Sequence, residues 1–299
     1  MTRSRWLVVG PGRAGCSLAL ALHGAGEAVE LRGRRTGRPV CLRDAPGLAY
    51  RAGTHLRGDV DGSPPGPQLR LVLCVPDDAL DGAAADWSRS LEDSLAPPDV
   101  GSHVALHTSG ARSSDALAPL RRAGFAVGSA HPLTALTGPD PAALAGVPFA
   151  LSGDDEAREA GGRLAELLGG RPIRIEEGEQ ARYHAAAVFG SNYVAACLAV
   201  AAEELGRATA GEAGLEELLP LARAALDGVE RRGLPKGLTG PVARGDAGTV
   251  RRHLEALAPE RAELYRRLAR ELLRVLDGPD PGGRAAELEA ILGTDEIVT

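Results

Sequence analysis

Apolar and polar positions follow two regimes along the chain, and the change between them falls just past residue 175. In the first regime, short apolar runs are separated by polar breaks and by small-residue amphipathic stretches. Residues 6–9 (WLVV), 28–32 (AVELR), 68–75 (QLRLVLCV), 103–107 (HVALH), 125–130 (FAVGSA), 149–152 (FALS) and 171–175 (RPIRI) predict strands. Helices are expected at 14–22 and 154–168, and another opens after Pro76-Asp77-Asp78 with an acidic first turn. A breaker run from Gly62 to Pro67 precedes the third strand. Such alternation predicts a doubly wound, mostly parallel sheet, with ligands beyond the carboxyl ends of its strands.

In the second regime no strand pattern survives. One long, alanine-rich helix is expected over 179–207, followed by helices at 215–231, 247–257, 260–276 and 284–292. The expected organisation is an α/β domain over 1–177 and an all-α domain over 178–299. No internal repeat or low-complexity tail breaks this division.

The first strand runs directly into Gly10-Pro11-Gly12-Arg13-Ala14-Gly15, so Gly10, Gly12 and Gly15 take the G-x-G-x-x-G spacing. The three glycines serve in turn a tight turn, close approach of backbone to a pyrophosphate, and close packing of helix on strand. The helix that follows points free N–H groups at the anion. Strand before and helix after make this a dinucleotide-binding Rossmann element.

The end of the second strand says which dinucleotide. An acid about 20 positions on would bond a ribose 2′-hydroxyl, but Arg34 stands there, followed by Arg35 and Thr36. Two guanidiniums suit a 2′-phosphate, so NADP is expected over NAD. Glu30 is the rival acid, expected to face away. Gly10, Gly12, Arg13, Gly15, Arg34, Arg35, Val75 and Pro76 are the expected cofactor-binding residues.

Composition adds limits. Among 299 residues, 44% are hydrophobic and 25% charged, ordinary for a globular chain, but only 3% are aromatic, so Ala, Leu and Val must build the core. A net charge of −6 argues against a nucleic-acid binder. Cys16, Cys41, Cys74 and Cys197 are scattered without metal-ligand spacing, so no metal is expected and all four read as buried free thiols. With no signal-like segment and no run approaching a membrane span, a cytoplasmic protein is expected.

Two segments of the second regime carry candidate chemistry. His184, Val188, Ser191 and Asn192 would share one face of the long helix. A histidine two turns from an asparagine offers a proton donor beside an amide able to hold a carbonyl oxygen. Next, the loop 238–246 holds Thr239-Gly240-Pro241 and Arg244-Gly245-Asp246. There Asp246 is a natural N-cap, and Arg244 can clamp a carboxylate or pair with a local acid.

Taken together, the glycine loop, His107-Thr108-Ser109-Gly110, His131-Pro132-Leu133, Tyr183-His184 through Ser191-Asn192-Tyr193, and the 239–246 loop resemble one bacterial group. That group is a Rossmann-like domain followed by a domain of unknown function. Its helical half is similar to that of phosphogluconate dehydrogenase, with ketopantoate reductase, pyrroline-5-carboxylate reductase and prephenate dehydrogenase as relatives. In the hydroxy-acid relatives the long helix carries a catalytic lysine and later asparagines. His184 and Asn192 resemble that lysine and the later asparagine, while Val188 departs from the pattern. The His131-Pro132 turn resembles prephenate dehydrogenases.

The resemblance implies an NADP-dependent oxidoreductase reducing a small 2-oxo acid, with ketopantoate the first candidate. His184 would protonate the alkoxide, Asn192 and Ser109 would hold the oxygen, and Arg244, Thr239 and His131 would bind substrate. Reduction of a cyclic imine and a non-catalytic NADP-binding regulator are the alternatives. A homodimer built on the helical domain is expected, since alanine-rich helices with few aromatics gain core by sharing it.

Overall fold

The computed structural model describes residues 5–53, 68–92, 103–276 and 284–293. The breaker run from Gly62 to Pro67 lies outside the described residues. Strands β1 (Arg5–Val9), β2 (Ala28–Gly33), β3 (Ala49–Ala52), β4 (Leu69–Leu73), β5 (Val104–His107), β6 (Ala126–Pro132), β7 (Pro148–Gly153) and β8 (Arg171–Arg174) form one sheet, in the order β3-β2-β1-β4-β5-β6-β7-β8. Neighbours run parallel except for β6 and β7. The strand order reverses between β1 and β4, so the carboxyl ends of those two strands border the crevice where open α/β sheets bind ligands.

Period-two alternation sorts the strand residues onto two faces. Trp6, Val8, Leu31, Val72 and Leu106 join one apolar layer with Leu18 and Leu22 of α1 (Arg13–Gly24). Leu7, Val9, Leu71, Leu73 and Ala105 join the other, with Trp87 of α2 (Leu80–Glu92) and Leu120 of α3 (Ala118–Arg122). Both faces are covered, as a parallel sheet requires. The helix α4 (Asp155–Leu167) packs Ala157, Ala160 and Leu164 onto the first layer. This is an α/β Rossmann-like fold followed by helices.

The chain divides into two compact units, Met1–Tyr193 and Val194–Thr299. Helix α5 (Gln180–Phe189) stays with the sheet, held there by side-chain bonds from Gln180 and Tyr183. The single long helix expected over 179–207 is corrected: it ends at Phe189, turns at Gly190 and Ser191, and restarts as α6 (Asn192–Ala208). Glycine is a poor helix former, and the Ser191 hydroxyl donates to the Ala187 carbonyl at 2.6 Å, a local bond that competes with the helix ladder.

After α6 come α7 (Leu215–Arg232), α8 (Pro241–Arg244), α9 (Ala247–Ala256), α10 (Pro259–Val275) and α11 (Arg284–Leu292). Val242, Val250, Ala269, Leu288 and Leu292 make a small core among α8–α11. Helices α6 and α7 contribute little to burial. No described residue of α6 is buried, and Leu221 and Leu226 of α7 are 67% and 59% exposed.

Two further expectations are corrected. Cys16 and Cys41 are not free thiols but form a disulfide joining α1 to the turn at Val40–Leu42, while Cys74 is buried and Cys197 exposed. Second, one run among the described residues, Gln180–Ala208, is long and apolar enough by composition to cross a membrane, with a mean hydropathy of 1.7. Alanine, valine, leucine and phenylalanine supply that apolarity, and the turn at Gly190 and Ser191 interrupts the run.

Candidate active site

The glycine loop is built by sterics that differ at its three glycines. Gly10 has φ of 103°, and a Cβ there would lie 2.2 Å from the Cys74 carbonyl oxygen of the neighbouring strand end. A Cβ on Gly15 would lie 1.9 Å from the Gly10 carbonyl oxygen. Those two glycines are required by the fold. Gly12 is different: a Cβ there would meet nothing within 4 Å. No protein packing asks for glycine at that position. The position lies open at the exposed N-terminus of α1, where glycine leaves room for an external group to approach the backbone. The loop therefore fits a dinucleotide pyrophosphate. Val75 packs over the loop, its Cγ1 3.3 Å from the Gly10 Cβ position, and Pro76 follows it at the exposed end of β4.

At the end of β2, Gly33 lies under the Pro11 ring, bringing the glycine loop against the segment carrying Arg34 and Arg35. Both arginines are exposed, with no ion pair among the described residues. The rival acid is committed elsewhere: Glu30 is buried and accepts from Arg32 at 2.5 Å and Arg5 at 2.6 Å. It is held by these two arginines. Arg13 is exposed at the first position of α1.

The ends of β4, β5 and β6 supply the remaining groups. Burial pushes the Cys74 thiol up to about 12, partly opposed by a hydrogen bond with Thr108, so this cysteine is inert at neutral pH. His107 is fully buried, and burial first of all pushes it down to about 4. Its Nε2 lies 3.1 Å from the Ser113 carbonyl, to which a neutral imidazole donates. The Ser109 hydroxyl oxygen accepts from the backbone N–H of Ala111 and Arg112, which leaves its O–H free to donate.

Gly110 organises what comes next. A Cβ on this residue would lie 3.0 Å from His131 Nε2 and 3.0 Å from His184 Cδ2, so two imidazoles flank one side-chain-free position. The Gly110 carbonyl is held by the Gln180 side-chain amide, which donates at 2.7 Å. The Tyr183 hydroxyl lies 2.6 Å from His131 Nδ1. Burial first, then the nearby charge of His184, pushes His131 down to about 4. His184 itself makes no hydrogen bond or ion pair among the described residues.

His131, His184 and the strand end carrying Ser109 thus come together. Asn192 does not share a helix with His184; it opens α6, its amide oxygen 3.0 Å from the Ser191 hydroxyl, whose one proton already goes to the Ala187 carbonyl at 2.6 Å, and its N–H₂ group makes no hydrogen bond among the described residues. Ser191 and Asn192 are both exposed rather than buried. Tyr183 and Gln180 were given no role from the sequence. The signal available was a tyrosine and a glutamine at the start of a helix whose partners, 52 and 70 residues away, no local pattern reveals.

Within the second unit, Gly240 (φ 99°) and Gly245 (φ 69°) bracket α8, and Asp246 caps α9 by accepting from the Thr249 N–H at 2.9 Å. Asp246 is therefore structural. Arg244 and Thr239 are both exposed, and Arg244 has no ion pair among the described residues. A cavity of about 790 Å³ opens elsewhere in the sheet unit, beside Asp154 and Arg174. Two of its arginines are already paired, Arg121 with Asp154 and Arg158 with Asp155, and it holds none of the residues above except Gln180 and the 111–113 backbone.

Residues 147–272 match the family described as domain of unknown function DUF2520. The matching segment runs from the end of the sheet into α10, and so includes His184, Asn192, Thr239 and Arg244. No protein of curated function matches the sequence. Among solved structures, protein TM1727 from Thermotoga maritima is similar with a TM-score of 0.66 and 23% identity, over 91% of this chain and 98% of that one. BF3122 from Bacteroides fragilis, provisionally described as an NADP oxidoreductase, has a TM-score of 0.64 and 20% identity over 91% and 98%. An imine reductase from Myxococcus stipitatus in complex with NADP⁺ has a TM-score of 0.57 and 19% identity over 95% and 99%. At these identities the likeness is one of fold.

Proposed function

We propose that this protein is an NADP-dependent oxidoreductase reducing the carbonyl of a small 2-oxo acid, with ketopantoate the first candidate. The observation that carries the reading is the glycine loop, where Gly12 faces open space while Gly10 and Gly15 are locked by the fold. The imine reductase of similar fold that holds NADP⁺ supports the nicotinamide cofactor.

In this reading the pyrophosphate rests on the α1 N-terminus, and Arg34 and Arg35 take the 2′-phosphate. The cofactor, when bound, supplies the hydride. The chain does the rest. His184 gives the proton to the developing alkoxide, and Ser109 and Asn192 hold the oxygen through an O–H and an N–H. Donors placed in advance on the oxygen supply most of the stabilisation. Incubating the protein with NADPH and a panel of short 2-oxo acids and cyclic imines tests this directly. Turnover of a 2-oxo acid supports it, turnover of imines alone moves the assignment to an imine reductase, and no turnover at all favours a non-catalytic NADP-binding regulator.

Cofactor choice rests on the exposed guanidiniums at the end of β2, which make no ion pair among the described residues. A charge-assisted bond contributes about 1.5–3 kcal/mol, so Arg34→Ala is expected to weaken NADPH by roughly tenfold or more and leave NADH nearly unchanged. Titration by nicotinamide fluorescence checks this. Equal losses for both cofactors would remove Arg34 from the 2′-phosphate.

The protein is further proposed to be a homodimer joined through its helical unit. The exposed leucines of α7 and the absence of buried residues among those described on α6 leave an apolar surface that a second copy would cover. Light scattering at micromolar concentration is expected to give twice the 30.8 kDa chain mass; a monomer would contradict it.

A further inference from the structure

The contact between Tyr183 and His131 has a chemical direction. The phenol oxygen and Nδ1 are 2.6 Å apart, with the rings edge to face and their centroids separated by 5.7 Å. One proton lies between them. A phenol is a strong donor and a weak acceptor, whereas the bare nitrogen of a neutral imidazole is a strong acceptor. Burial pushes the Tyr183 hydroxyl up to about 12, and His131 is pushed down to about 4, so both partners are neutral at ordinary pH. The favoured arrangement is O–H of Tyr183 donating to Nδ1. The ring proton then resides on Nε2, because the hydrogen bond at one imidazole nitrogen sets the state of the other.

That second nitrogen is turned toward the position flanked by His184. The Cβ site of Gly110 is 3.0 Å from Nε2 and 2.9 Å from Cε1. Nε2 has no hydrogen-bond partner among the described residues, and His131 is only partly buried. His107, by contrast, has Nδ1 buried without a partner and cannot reach a ligand.

We infer that Tyr183 locks His131 in its Nε2–H tautomer, which makes this ring a fixed, neutral donor to the substrate oxygen beside Gly110. Tyr183 is a positioning residue; His131 touches the substrate. The inference rests on the carbonyl-reduction reading and assigns the two imidazoles different roles. His131 keeps its proton throughout and steadies the oxygen as charge develops on it. His184 gives its proton away. A neutral donor suits this role because it adds no second positive charge beside His184.

The test is made on the full-length protein. Long-range ¹⁵N–¹H correlation spectra at pH 7, with no cofactor added, report the tautomer of each histidine. The wild type is expected to show His131 protonated at Nε2 alone. Tyr183→Phe keeps the ring contact and removes only the hydroxyl. It is expected to show a mixture of both tautomers and a kcat lowered by about tenfold, the scale of one lost hydrogen bond, at unchanged NADPH affinity. Glutamine places an N–H donor near the Nε2 position and asparagine near Nδ1, so His131→Gln is expected to retain more kcat than His131→Asn. A wild-type spectrum with the proton on Nδ1 would overturn the inference, as would a Tyr183→Phe protein that keeps a single Nε2–H tautomer and full kcat. The spectra need no substrate. An Nε2–H lock found in a protein that reduces no carbonyl or imine would sink the functional reading and the donor role together, leaving only the tautomer assignment.

Discussion

Replacing His184 with alanine is expected to lower kcat by about 10²–10⁴-fold, the usual range for removing a general acid, and to leave NADPH affinity almost unchanged. Of the two imidazoles at Gly110, His131 is held neutral by burial and occupied at Nδ1 by Tyr183. His184 is half-buried and free of hydrogen bonds among the described residues, so its ring can deliver a proton without first breaking a bond. It belongs to α5, whereas the pyrophosphate site belongs to the β1–α1 loop, so the pyrophosphate keeps its contacts when the ring is removed. If His184 were only packing against Gly110, the variant would lose stability with no specific effect on kcat. Steady-state kinetics and thermal melts on one preparation separate the outcomes, and a folded variant with near wild-type kcat would take His184 out of the mechanism.

The glycine loop gives the second large effect, as a contrast between two substitutions of identical chemistry. Gly15→Ala places a methyl 1.9 Å from the Gly10 carbonyl oxygen, a backbone atom that cannot swing aside. Overpacking of this kind costs about 1–3 kcal/mol or more, which lowers Tm by roughly 2–12 °C in a domain of this size. Gly12→Ala meets nothing within 4 Å, so its Tm should stay close to wild type. Its methyl would instead stand where the pyrophosphate approaches, and NADPH affinity is expected to fall by about tenfold or more, roughly 1.4 kcal/mol. Differential scanning fluorimetry and nicotinamide titration on both variants check the pair. A Gly12→Ala protein that binds NADPH normally would show that the open position has no ligand to admit.

These contrasts also show what could be read from sequence. The alternation of Trp6, Leu7, Val8 and Val9 onto two apolar layers was legible because strand periodicity is local, and the glycine spacing follows from the same short stretch. β3 was missed because this four-residue edge strand is almost entirely exposed and carries no apolar alternation. The reversal of β7 was invisible, since direction within a sheet is set by partners far along the chain. The break between α5 and α6 was hidden by alanines on both sides of Gly190 and Ser191, which make the run read as one helix. Long-range pairings were hidden too: Cys16 with Cys41, and Tyr183 with His131, join residues with no shared local pattern. The candidate histidines were therefore visible singly, and their division of labour only in three dimensions.

The most direct test of the account is a titration of the wild-type protein with NADPH and, separately, NADH, followed by nicotinamide fluorescence. The account predicts saturable binding of NADPH at least about tenfold tighter than NADH, the difference one charge-assisted contact to the 2′-phosphate provides. Absence of saturable binding by either nucleotide would contradict it.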